Sequence, residues 1–387
     1  MAMKLNPKNT LRTWIEIDKR AIFHNIAEFR KIIKPKTKLM AVIKSNAYGH
    51  GLVDFAKTAE DKVDWFGVDS ITEGLKLRQK GLKKPILVLG YTLPSRLEEA
   101  AKNDISLTVS TLELLGAIGS LKIPLKIHIK IDTGMHRQGF FLKDLSQVIK
   151  LLKRFKLSPE GLYTHLAAAK DRLYPSYSFK QIENFKKADD LFRKAGFKNY
   201  FRHIAASAGA MLYPESHFDM VRIGIGLYGM FPTKETEIQT DVKLRPALSW
   251  KSTIGEIKNV PKNAYIGYDL TEKVLKSSQL AIVPVGYWHG FDRGFSNCGE
   301  VLVKGKRCKV LGRVNMDMII VDITNIDNKS QISNLKSQNK VKIGDEVVII
   351  GKQGKEKITA EDMALKIGTI NYEIVTRINP LIKRFYK

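Results

Sequence analysis

The sequence predicts an α/β protein, with an N-terminal (β/α)8 barrel of the TIM type followed by a C-terminal, mostly-β domain. Eight short apolar runs, near 39–44, 65–70, 85–90, 105–110, 125–132, 160–166, 200–206 and 220–226, alternate with helical patterns such as Thr72–Lys80, Pro94–Asn103, Leu142–Phe155 and Ser178–Ala195. Such alternation implies parallel pairing, and eight strands is the number that closes a barrel. No Gly-x-Gly-x-x-Gly turn follows the first strand, so an open doubly wound sheet has little support. After about Phe231 the rhythm changes to β-like runs at Leu248–Ile257, Gln279–Val285, Glu300–Val303, Arg307–Leu311, Met318–Ile323 and Glu346–Ile350, with a helical pattern only at Thr359–Lys366. The expected domains are 13–240 and 241–387, with the strand near 13–18 free to pack with the second.

Composition bounds the function classes. A chain of 387 residues exceeds one ordinary core, and 44% hydrophobic content suits a globular protein. Met1–Ile15 is polar, without the apolar core of a signal peptide, and no apolar run reaches membrane-spanning length, so a cytoplasmic protein is expected. Cys298 and Cys308 fit a reducing compartment and match no metal-ligand spacing. The net charge of +26 raises nucleic acid or an anionic membrane as a partner. Its lysines are scattered, with no basic arm and no nucleic-acid module, which points to a solvated basic surface and no specific partner of either kind. Asn325–Lys342 is polar and reads as an exposed loop, and no internal repeat is present.

Taken in order, Thr13–Asp18 alternates as a strand, and Asp18 can cap a helix through about Lys34 whose Ile22, Ile26, Phe29 and Ile33 share a face. Leu39–Gly51 begins as a buried strand and turns abruptly into Lys44, Ser45, Asn46, Tyr48 and His50, punctuated by Gly49 and Gly51. A strand ending in lysine delivers an amine to the mouth of the fold, and an apolar setting would leave that amine unprotonated and able to attack a carbonyl. Lys44, Asp132, His165, Ser207 and Arg222 all fall at or just past strand ends, where barrels place their chemistry. Gly224 and Gly226 end the eighth strand, where bare N–H groups can approach a phosphate, and Ser207 adds a hydroxyl. Arg222 lies two residues before Gly224 and points to the same side.

Ala41–Gly51, Ala-Val-Ile-Lys-Ser-Asn-Ala-Tyr-Gly-His-Gly, closely resembles the pyridoxal-phosphate attachment segment of the alanine racemase family. Ile127–Gly139, Thr164–Leu166, His203–Met211, Met220–Gly229, Ala264–Leu270, Val283–Arg293, Gly312–Asp317 and Asn371–Glu373 resemble further family motifs in the family's order. The resemblance implies an amino-acid racemase that interconverts L- and D-alanine and supplies D-alanine for cell-wall peptidoglycan. Lys44 would carry pyridoxal 5'-phosphate as a Schiff base and serve as one of two opposed bases, with Tyr268 as the other. Tyr48, Ser207, Gly224, Ile225 and Tyr372 would hold the cofactor's phosphate end, Arg222 its pyridine nitrogen and Arg137 its phenolic oxygen. His165 would lie beside the ring, and Lys130 stands where many members carry a carbamylated lysine.

Arg137, the Met316 backbone and Tyr287 would meet the substrate, and the family's shared active sites imply a homodimer. Tyr372 with Tyr287 argues for a small side chain over serine, lysine or ornithine. A non-enzymatic barrel binding the same cofactor would lack the second domain. Six positions depart from the family pattern: His136 for a glycine, Gln138 for a small apolar residue, Ala206 for an asparagine, Asp269 for the glycine after Tyr268, and Trp288-His289 for Ala-Asp. Asp269 is expected to face solvent.

Overall fold

The computed structural model describes residues 10–121, 123–326 and 340–387. The loop expected over 325–342 falls largely outside the described residues. The chain divides into two compact units, one of residues 19–246 and one combining the chain up to Asp18 with Ala247–Lys387. Strand β1 (Thr13–Ile17) therefore belongs with the C-terminal residues.

The first unit begins with α1 (Lys19–Ile32) and contains eight strands: β2 (Lys38–Val42), β3 (Trp65–Val68), β4 (Ile86–Val88), β5 (Ile105–Val109), β6 (Ile127–Lys130), β7 (Gly161–Tyr163), β8 (Phe201–His203) and β9 (Met220–Ile223). Their order is β8-β7-β6-β5-β4-β3-β2-β9, and every ladder is parallel. The remaining edge is bridged by backbone bonds from Asp219 N to Arg202 O, 3.0 Å, and from Arg222 N to Ala205 O, 2.9 Å, which nearly close the barrel. Strands covered on both faces favour apolar residues at successive positions, as in β3 and β4; β5 is buried throughout as well, its Ser106 and Thr108 hydroxyls satisfied by Glu160 and by Val88 O. All eight expected strands are present.

Helices α2 (Leu52–Ala59), α3 (Ile71–Gln79), α4 (Leu97–Lys102), α5 (Leu112–Gly119), α6 (Leu145–Arg154), α7 (Ser176–Lys194) and α8 (Ser207–Leu212) connect the strands, and α9 (Lys234–Ile238) follows β9. Ser70 and Thr111 cap α3 and α5 by accepting the N–H of Glu73 and Leu114. Asn25 on α1 is fully buried, and its amide donates to Leu227 O and Arg245 O and accepts from Arg245 N, at 3.1, 2.8 and 2.8 Å. One side chain thus satisfies three main-chain groups beyond β9.

The second unit is mostly β. Its strands are β1, β10 (Leu248–Thr253), β11 (Glu256–Val260), β12 (Tyr265–Ile266), β13 (Glu272–Lys273), β14 (Ser278–Val283), β15 (Glu300–Val303), β16 (Lys306–Leu311), β17 (Ile319–Asp322), β18 (Glu346–Gln353), β19 (Glu356–Ile358) and β20 (Arg384–Tyr386). The main sheet runs β11-β14-β17-β16-β15-β18-β10-β1-β20, with β19 on β18 and a separate β12-β13 hairpin. The single run expected at Leu248–Ile257 is two strands, parted at Ile254-Gly255. Trp14, Trp250, Phe291 and Phe295 fill the core, and helices α10 (Ala360–Lys366) and α11 (Asn371–Thr376) lie near the C-terminus. No helix among the described residues is long and apolar enough to cross a membrane.

Replacing Asn25 by alanine strands three buried main-chain groups and should cost about 3 kcal/mol. A fall in the urea midpoint at unchanged slope would register it; a variant within about 0.5 kcal/mol of the parent would show that Asn25 is not a tie.

Candidate active site

Lys44 lies two residues past the end of β2, and the next four residues, Ser45, Asn46, Ala47 and Tyr48, all adopt left-handed backbone, with φ of 54, 56, 52 and 51°. Each such residue costs about 1 kcal/mol or more, so the turn must be held from outside. Glu73 holds it: its carboxylate accepts the N–H of Ser45 and of Asp69, both at 2.8 Å. Asn46 Oδ1 accepts the N–H of Leu52 at 2.9 Å and starts α2. Asp69 then takes the Lys44 ammonium at 3.1 Å, with 38% of the lysine side chain exposed. The apolar setting expected around Lys44 stops at Ile43, because the left-handed turn swings the chain outward to a carboxylate.

At the end of this turn, Tyr48 packs on Tyr228 at 4.9 Å, and burial pushes its hydroxyl up to about 12, so it stays a donor. A Cβ on Gly224 would lie 2.7 Å from the Tyr48 oxygen. Ser207 Oγ accepts the N–H of Gly224 at 3.1 Å and of Gly226 at 3.3 Å, which draws the Gly224–Gly226 turn onto the start of α8. Ile225 is buried within that turn. Ala206, at the N-cap of α8, offers no side-chain cap.

Arg222 is 3% exposed. Its Nη1 donates to His203 O and His203 Nδ1 at 2.9 and 3.0 Å, and its Nη2 donates to Thr164 O, Ile204 O and His165 Nδ1 at 2.8, 2.9 and 3.1 Å. Both terminal nitrogens are committed, which leaves Nε. Burial lowers the guanidinium to about 10, still fully charged near neutrality. His165 is held well below the usual histidine range by burial and by Arg222, Arg137, Lys130 and Lys44, so it is neutral, with Nε2 carrying its proton.

After β6 the chain forms a second constrained loop. Asp132 accepts from four successive N–H groups, those of Gly134, Met135, His136 and Arg137, at 2.9 to 3.1 Å. This cage presents Arg137, whose exposed guanidinium has no protein partner among the described residues. His136 sits at φ 53° and Asp269 at φ 61°. Those are conformations that glycine adopts freely, which is the physical content of the two glycines the family pattern has there. Lys130 is nearly buried and donates to Gln138 Oε1 at 2.8 Å, while Gln138 Nε2 reaches Ser110 Oγ at 3.3 Å. Burial, then Arg222 and Arg137, pull Lys130 down to about 7.

The remaining residues belong to the second unit. Tyr268 lies between β12 and β13 and is 69% exposed. Gly267 before it has φ 74° and ψ −162°, which only glycine adopts easily. Asp269 is exposed and pairs with Arg313 at 3.4 Å. Tyr287 and Met316 come together because Tyr287 N donates to Asn315 O and Trp288 N to Met316 O, each at 3.0 Å. A Cβ on Gly286 would meet both carbonyls at 2.2 and 2.4 Å. His289 Nδ1 accepts the Gly286 N–H at 3.2 Å and closes the turn that holds Tyr287. Tyr372 is the second residue of α11.

Sequence reasoning missed Asp69, Glu73 and the cage-forming role of Asp132. A carboxylate after a strand was the available signal, but its partners are main-chain N–H groups that carry no side-chain signature.

The sequence profile described as alanine racemase, N-terminal domain, matches residues 17–232, and that described as alanine racemase, C-terminal domain, matches 247–386. The chain is 39% identical to the alanine racemase of Leptospira interrogans, covering 97% of this chain and 96% of that one. It is 40% identical to the alanine racemase of Methanococcus maripaludis, with 96% and 98% covered. Its fold superposes on the alanine racemase of Bacillus anthracis with bound L-Ala-P at a TM-score of 0.90 and 36% identity, covering 97% and 95%. The Clostridium difficile enzyme in complex with cycloserine gives 0.85 and 35%, covering 97% and 96%. With both domains matched along nearly its whole length, the chain belongs to the alanine racemase family, whose members are amino-acid racemases and therefore isomerases.

Proposed function

We propose that this protein interconverts L- and D-alanine with pyridoxal 5'-phosphate bound at Lys44, with Lys44 and Tyr268 as opposed bases. The observation that carries the reading is the convergence of an amine, a neutral phenol, a bare glycine turn and a buried guanidinium at one end of the barrel. The fit to the cofactor is physical. Gly224 lacks room for a side chain beside the Tyr48 hydroxyl, and donors without negative charge line that corner. Pyridoxal phosphate, when bound, supplies the electron sink that makes the substrate's Cα–H acidic.

The chain's own residues do the rest. Tyr48, Ser207, Gly224, Ile225 and Tyr372 bind the phosphate. Arg222 offers Nε to the ring nitrogen and, as a permanent donor, leaves that nitrogen unprotonated. His165 stays neutral beside the ring, and Arg137 meets the phenolic oxygen and the substrate carboxylate. Lys130 near pH 7 is partly the free amine that carbon dioxide can take up, and a carbamate there would orient Arg137. Tyr287 and the Met316 backbone border a pocket sized for alanine, ahead of serine, lysine or ornithine. Lys44 removes or returns the Cα proton on one face and Tyr268 on the other. We place this activity in a cytoplasmic homodimer with Tyr268 supplied by the partner, feeding D-alanine to cell-wall peptidoglycan.

Lys44→Ala should abolish the visible absorbance of the protein mixed with cofactor, and a retained band would remove Lys44 from the attachment role. Tyr268→Phe should keep that band while racemisation falls by roughly 10²-fold or more, the usual worth of a general acid or base; parental rates in both directions would exclude it as a base. Mixing the two inactive variants should restore part of the activity, and no recovery after verified subunit exchange would contradict shared sites.

A further inference from the structure

Arg222 is a buried cation with no carboxylate in contact among the described residues, which is costly unless its charge is balanced from further away. A chain of hydrogen bonds leads from it through the barrel interior. Arg222 Nη1 reaches His203 Nδ1 at 3.0 Å, His203 Nε2 reaches His128 Nδ1 at 2.9 Å, and His128 Nε2 reaches Glu160 Oε2 at 3.3 Å. Ser106 Oγ donates to the same carboxylate oxygen at 2.5 Å. Glu160 immediately precedes β7, whereas Lys44 follows β2. In a parallel barrel these are opposite ends.

Donor and acceptor roles along the chain are forced. Arginine can only donate, so His203 Nδ1 accepts and its proton sits on Nε2. That proton is given to His128 Nδ1, which places the second proton on His128 Nε2, facing Glu160. Both imidazoles are fully buried and held below the usual histidine range, chiefly by desolvation, so each carries one proton. Their surroundings are built for them. A Cβ on Gly161 would fall 2.0 Å from His128 Nδ1, so the glycine is a hollow for that ring. Tyr163 stacks on His203 at 4.6 Å and 3°, and Trp65 meets His128 edge-on at 5.4 Å.

We propose that Glu160 is a positioning residue for Arg222, acting through His128 and His203 as the remote counter-ion of the buried guanidinium. Because every dipole in the relay points the same way, the carboxylate polarises both imidazoles and stabilises Arg222 in its charged, fully committed geometry. The role in the reaction rests on the cofactor reading above, since Arg222 matters to racemisation only through the ring nitrogen it faces.

The test uses the full-length protein loaded with pyridoxal phosphate and labelled with 15N-histidine, with ring signals assigned from single histidine substitutions. His128 and His203 should both carry the proton on Nε2, and a proton on Nδ1 of either ring would overturn the relay in the unsubstituted protein. Glu160→Gln keeps shape and an acceptor but removes the charge. It should move the ring nitrogens of both histidines, shift the visible cofactor band and lower kcat by about tenfold at unchanged KM, the worth of one charge-assisted hydrogen bond. Ser106→Ala strips a donor from the same carboxylate, makes it a stronger acceptor, and should move the His128 nitrogens in the opposite sense. Unmoved His203 signals, or a band and kcat unchanged in E160Q, would reduce Glu160 to packing. A missing visible band in the unsubstituted protein would instead refute the cofactor reading and, with it, the part of Glu160 in the reaction.

Discussion

Burying a guanidinium in a barrel interior is tolerable only if its donors find acceptors, and the first unit meets that demand around Arg222. The carbonyls of Thr164, His203 and Ile204 are turned toward it where β7 and β8 end, and His165 and His203 offer lone pairs beside them. β9 lies against β2, with Arg222 opposite Met40, so the strand carrying the arginine adjoins the strand that leads into Lys44. Sheet order thus fixes the guanidinium and the amine as neighbours around the barrel. The tyrosine stacked on His203 shares this environment: burial raises Tyr163 to about 12, its hydroxyl exchanges a hydrogen bond with Thr108, and its ring lies 5.2 Å from the guanidinium carbon.

A second constraint is backbone conformation. Four left-handed residues follow Lys44, a single one stands at His136, and two in succession, Asp269 and Leu270, follow Tyr268. Polar contacts hold the first two, Glu73 for the first and the Asp132 cage for the second, while at the third the exposed Asp269 carboxylate meets Arg313 in an ion pair of 3.4 Å. Isolated left-handed residues also stand elsewhere, at Asp104 and Lys156 for example, but the run of four after Lys44 is the longest among the described residues and is the kind of strain expected where a geometry is fixed before a ligand arrives. It also accounts for the departures at His136 and Asp269. They change the side chain and not the turn, because an L-residue held by enough contacts can occupy a glycine's conformation.

Much of the barrel was legible in the sequence because a strand buried on both faces reads as a nearly continuous apolar run, as Leu39–Ile43 does. Lys44, Ser207, Arg222 and the Gly224–Gly226 turn were legible because charge and glycine at the end of such a run have few structural uses. What could not be read were contacts between distant segments in which one partner is main chain. The tie from Asn25 to Arg245, the clamp from Glu73 to Ser45 and the Asp132 cage are of this kind. The Gly161 hollow for His128 depends on strand register, which fixes Gly161 opposite His128 and which sequence alone does not supply. The setting of Lys44 was misjudged for a related reason, since the apolar run before it says nothing about the carboxylate of Asp69.

The central claim is that Lys44, among the many lysines of this basic chain, is the one that bonds the cofactor. Borohydride reduction of the protein loaded with pyridoxal phosphate, followed by digestion and mass mapping, tests it directly. A single labelled peptide with the adduct on Lys44 is the predicted result. An adduct on Lys130 or another lysine, with Lys44 unmodified, would contradict the account.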